Sequence, residues 1–87
     1  MNVEILTPVK TLFSDEVFGI QLPGATGLFE VLDRHAPLIS ALQAGRIKVL
    51  KNKNNQLIFF DIRSGFVEVI ANNVTVLVEG AVPVETK

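Results

Sequence analysis

The apolar residues of this chain come in short runs, and turn-forming residues interrupt them at fairly even intervals along the whole length. That rhythm fits short strands and hairpins, and no segment carries an extended helical period. The second half shows it most clearly. Arg46-Ile47-Lys48-Val49-Leu50 predicts a strand, and Lys51 to Asn55 a polar turn. Leu57 to Ile62 predicts the next strand, Ser64-Gly65 a turn, and Phe66 to Ile70 the return. Asn72-Asn73 then leads into Val74-Thr75-Val76-Leu77-Val78, where three valines share one face because strand side chains alternate.

The first half repeats the theme in shorter pieces. Val3 to Leu6, Thr11 to Phe13, Val17 to Leu22 and Leu28 to Leu32 read as strands. Pro23-Gly24-Ala25-Thr26-Gly27 reads as a loop, and Leu38 to Leu42 as strand or a turn of helix. The expected fold is all-β: a flattened two-layer β-sandwich of about eight to ten short strands, mostly antiparallel hairpins. Residues 1–87 form one domain in this reading, since a chain of 87 residues suits no more. Leu57-Ile58-Phe59-Phe60 does not alternate, which predicts burial on both faces or a cover from outside the domain.

Composition narrows the function. A hydrophobic share of 48% is too high for a disordered chain. A net charge of -1 argues against nucleic acid as a partner, because phosphate neutralisation needs surplus Lys and Arg. No cysteine is present, so there is no disulfide framework and no thiolate metal site. The apolar runs fall far short of the roughly 20 residues that span a bilayer, so the expected protein is not embedded in a membrane.

Candidate chemistry is sparse. His35 is the single histidine, and Ser14, Ser40 and Ser64 all lack the setting of an activated nucleophile. No carboxylate spacing resembles a calcium loop, and the 23–27 segment lacks the Gly-Lys-Ser/Thr ending of a phosphate loop. Arg46, Lys48, Lys51 and Lys53 read as a solvated basic hairpin. Phe13, Phe59, Phe60 and Phe66 read as core, while Phe18 and Phe29 are the better candidates for exposed anchors. The expectation is a non-enzyme with no catalytic residue, metal or cofactor.

Several segments in order carry a resemblance: Leu6-Thr7-Pro8, Leu12 to Val17, Leu22 to Gly27, His35-Ala36-Pro37-Leu38-Ile39-Ser40-Ala41-Leu42 with Gly45, Ser64 to Val69, and Asn73 to Leu77. Together they resemble the N-terminal β-sandwich domain of the epsilon subunits of rotary ATP synthases. The resemblance implies a central-stalk, rotor role, linking the gamma subunit to the c-subunit ring and coupling proton or sodium flow to ATP synthesis. It places the gamma-facing segment at His35, Ala36, Pro37, Leu38 and Ser40, and the ring-facing loop at Gly27, Leu28 and Phe29. It implies a location on the cytoplasmic face of the bacterial plasma membrane, peripheral and held there through partners.

Three departures qualify that reading. Leu28 stands where many relatives carry an acidic residue, and Glu30 where they often have Gly. Asp33-Arg34 replaces a Pro- or Gly-containing turn before His35. Typical bacterial relatives continue into a C-terminal helical hairpin that inhibits ATP hydrolysis and in some members binds ATP. Here the sequence ends at Val84-Glu85-Thr86-Lys87, so the resemblance implies a short form to which neither function is carried over. The competing class is a biotinyl- or lipoyl-type carrier with Lys51 or Lys53 at a hairpin tip. A small hydrolase built on His35 is the third.

Overall fold

The computed structural model describes residues 1–52, 54 and 56–84. They form ten strands: β1 (Asn2–Leu6), β2 (Thr11–Glu16), β3 (Gly19–Gly24), β4 (Gly27–Leu32), β5 (Leu38–Leu42), β6 (Gly45–Leu50), β7 (Leu57–Ile62), β8 (Ser64–Ile70), β9 (Asn73–Glu79) and β10 (Val82–Val84). One half runs β2-β1-β9-β8-β5, and the other β10-β7-β6-β3 with β4 on the free edge of β3. A single registered pair, Gly24 with Leu42, ties the halves into one hydrogen-bonded path. All pairings are antiparallel except β1 with β9.

Alternation builds the core between the halves. Val3 and Ile5 on β1 register with Val74 and Val76 on β9, and all four are buried. Ile20, Leu22, Val31, Ile47 and Val49 close the cluster from the other half. Among the described residues no polar or charged side chain is buried, so the interior holds no unpaired polar group that would cost free energy.

Local chemistry explains where the strands depart from the expected boundaries. The loop expected over 23–27 is a two-residue hairpin, Ala25-Thr26, because Pro23 and Gly24 continue β3. Gly24 pairs with both Gly27 and Leu42, and a Cβ there would lie 2.8 Å from the Gly27 carbonyl oxygen and 2.9 Å from the Phe29 ring. Only glycine lets two strands and an aromatic ring converge on one point. Ser64-Gly65 begins β8 instead of forming a turn, and the β8–β9 turn is Ala71-Asn72.

The run Leu57-Ile58-Phe59-Phe60 does alternate in its setting. Phe60 is buried and Ile58 packs on the core, while Leu57 is exposed. Phe59 lies under a guanidinium: the Arg46 carbon is 5.7 Å from its ring centroid. The outer face of Phe59 is thus covered from within the chain.

Candidate functional site

β4 separates the two candidate contact regions. The 27–29 segment opens the strand and Asp33 to Pro37 follows its end, so six residues at strand rise place them roughly 20 Å apart.

At the hairpin end, Gly27 and Leu28 are exposed, with Leu28 at 66%. Phe29 is half-buried and packs on the core across Gly24. The exposed anchor at this tip is therefore Leu28, and Phe29 fixes the hairpin to the body.

At the other end, His35, Ala36 and Pro37 are exposed. The His35 ring Nδ1 lies 2.8 Å from the Ala36 carbonyl oxygen. A carbonyl only accepts, so Nδ1 carries the proton and donates. The three residues then enter β5, where alternation divides the segment. Leu38 packs on the core and Ser40 is half-buried, its hydroxyl donating to the Ala41 carbonyl at 3.1 Å. Ile39 and Ala41 point outward, Ile39 with 73% of its surface exposed.

Ile39 registers with Glu68, whereas Ala41 begins an apolar row that the sequence reading missed. Ala41 registers with Phe66, Phe66 with Leu77, and Leu77 with Leu6. The row crosses β5, β8, β9 and β1 on the solvent side, with Phe66 and Leu77 both exposed. Along it a groove of about 260 Å³ opens between Pro8, Gly65, Phe66 and Leu77. Phe66, expected in the core, stands outside because Val67 and Val69 take the inward positions of β8. Phase was the available signal: once Val67 is inside, Phe66 must be outside.

Two cations of the basic hairpin, Arg46 and Lys51, are paired with carboxylates. Arg46 makes two hydrogen bonds to Asp61, at 2.8 and 3.2 Å, which hold the Asp61 carboxyl below the ordinary carboxylate range. Lys51 pairs with Asp15 at 2.7 Å, and that hydrogen bond holds the Asp15 carboxyl low as well. A carrier lysine needs a free amine at a hairpin tip, and Lys51 is tied down; Lys53 lies outside the described residues. Among the described residues, no group of three His, Cys, Asp or Glu is placed to hold a metal ion.

Ten short strands in two halves around one apolar core define a β-sandwich domain. Residues 1–84 match the family model of the ATP synthase, Delta/Epsilon chain, beta-sandwich domain, and the chain belongs to that family. The ATP synthase epsilon chain of Protochlamydia amoebophila is 40% identical over 77 residues, which are 88% of this chain and 52% of that protein. The epsilon chain of Campylobacter curvus is 42% identical over 83 residues, 94% of this chain and 63% of its own length. That of Chlorobium limicola is 40% identical over 79 residues, covering 90% of this chain and 88% of its own. The chain thus spans about half to two-thirds of the first two relatives and most of the third. A chain in the cryo-EM structure of Euglena gracilis mitochondrial ATP synthase, OSCP/F1/c-ring, superposes with a TM-score of 0.85 at 22% identity. The match covers 93% of this chain and 51% of that one, and speaks for the fold alone.

Proposed function

We propose that this chain is a non-catalytic central-stalk subunit of a rotary proton- or sodium-translocating ATP synthase, acting as one unit that links gamma to the c ring. The observation that carries this reading is the registered outward row Leu6, Leu77, Phe66 and Ala41. A row of apolar side chains on the outer face of a sheet gains free energy when a partner covers it. We assign gamma to this face together with His35, Ala36, Pro37, Leu38 and Ser40. Leu38 and Ser40 contribute from below, by holding Ile39 and Ala41 outward. The c ring is assigned to Gly27, Leu28 and Phe29, with Leu28 as the apolar contact.

The two assignments sit at opposite ends of one strand in a tightly paired body. Torque passing between partners needs such stiffness, and the close-packed core supplies it. The chain is peripheral to the cytoplasmic face of the bacterial plasma membrane through these partners. Native mass spectrometry of the chain mixed with gamma and with detergent-purified c ring tests the reading. A ternary assembly is expected, and no association with either partner would remove the proposal.

A further inference from the structure

We propose that Asn72 is a positioning residue for the partner-facing segment His35–Pro37: its carboxamide clamps the β4–β5 turn to the β8–β9 turn. The inference rests on the reading that this segment meets gamma. Asp33 through Pro37 are all exposed, so core packing does not set the segment's direction. Arg34 leaves β4 with a φ of 64°, a left-handed conformation that disfavours a non-glycine residue. The turn closes itself with one bond, the His35 N–H donating to the Leu32 carbonyl at 3.2 Å, and a tie from outside it further favours that geometry.

Asn72 supplies it from both ends of one group. Its Oδ1 accepts from the Arg34 backbone N–H at 2.8 Å, and its Nδ2 donates to Asp33 Oδ1 at 2.8 Å. These bonds join residues 38 and 39 positions apart, the longest sequence separations of any side-chain bond among the described residues. A carboxamide both donates and accepts, which the clamp requires. The anchor is itself fixed. Asn72 closes the β8–β9 hairpin, and its carbonyl accepts from the Asn2 N–H at 3.1 Å. The Met1 ammonium, 3.3 Å from the same Asp33 oxygen, adds a third tie. The Asp33 carboxyl is held below its ordinary range by the Asn72 bond first and the ammonium second.

Two variants of the 87-residue chain test the clamp, each read by amide exchange at Arg34 and by affinity for gamma. Asn72→Gly removes the carboxamide and tolerates the positive φ. The swap Asp33→Asn with Asn72→Asp rebuilds both bonds, because a carboxylate at 72 accepts from the Arg34 N–H and from the new amide at 33. Asn72→Gly is expected to speed Arg34 exchange about tenfold while Val74 and Val76 are unchanged. It is expected to weaken gamma binding about three- to tenfold, as pre-organisation is lost. The swap rebuilds the two bonds to residue 72 and not the Met1 tie, so it is expected to restore most of each loss. Unchanged exchange at Arg34, unchanged affinity in Asn72→Gly, or no rescue by the swap would each overturn the inference. A wild-type chain that fails to bind gamma would instead overturn the partner reading, and the positioning role with it.

Discussion

Phe66 and Leu77 oppose each other across β8 and β9, and both side chains stand in solvent, 61% and 46% exposed. A direct cross-strand pair of large apolar residues on an outer face contributes roughly 0.2–1 kcal/mol to the sheet. Far more free energy is available if a partner buries it, at about 25 cal/mol per Å² of apolar surface removed from water. The pair therefore separates binding from folding. Phe66→Asp is expected to weaken gamma binding at least about tenfold. The same change is expected to shift the unfolding free energy by no more than about 1 kcal/mol, because the side chain leaves no core cavity. Calorimetric titration against gamma and urea unfolding of the same variant check the two halves.

Leu28 and Phe29 adjoin each other but make opposite predictions. Phe29 packs on the core across Gly24, so Phe29→Asp is expected to cost about 2–4 kcal/mol of stability. Leu28→Asp is expected to leave stability within about 1 kcal/mol and to weaken association with the c ring. Thermal unfolding and co-purification with the ring separate them.

Much of this fold was legible in the sequence because valine-rich strands with polar interruptions have few other solutions. Leu57–Ile62 appears with its expected ends, and the valines of β9 face inward as their spacing requires. What the sequence hid has physical causes. Pro23 and Gly24 carry the composition of a loop, yet they sit in β3, where one sheet half turns into the other. Phe66 carries the hydrophobicity of a core residue, and its side of the sheet follows from strand phase alone. The Arg46–Asp61 pair needed the register of β6 on β7, and the Lys51–Asp15 pair needed the packing of one half on the other; a single sequence supplies neither.

The β8–β9 turn holds a correctable cost. Ala71 and Asn72 both have positive φ, 49° and 66°, in a two-residue hairpin turn. Asparagine enters that region readily, and alanine pays for its Cβ. Ala71→Asn is expected to stabilise the chain by roughly 0.5–1 kcal/mol, raising the melting temperature by about 2–6 °C. Differential scanning calorimetry reads the change.

Acid should loosen the chain through three surface carboxylates. Asp15 is held low by Lys51, Asp33 by Asn72 and Asp61 by Arg46, each chiefly through a side-chain hydrogen bond. A carboxyl whose folded value is depressed stabilises the native state above its unfolded value, near pH 4, and that contribution is lost as pH falls through the folded value. The triple variant Asp15→Asn, Asp33→Asn, Asp61→Asn is expected to show a shallower fall in melting temperature between about pH 5 and pH 2 than the wild type. Parallel curves would show that other carboxylates carry the acid response.

The outward row is best tested by hydroxyl-radical footprinting of the chain alone and bound to gamma. Ile39, Phe66 and Leu77 are expected to lose reactivity in the complex, while Val82 on β10 keeps it. A complex that forms with Phe66 and Leu77 as reactive as in the free chain would contradict the assignment of gamma to this face.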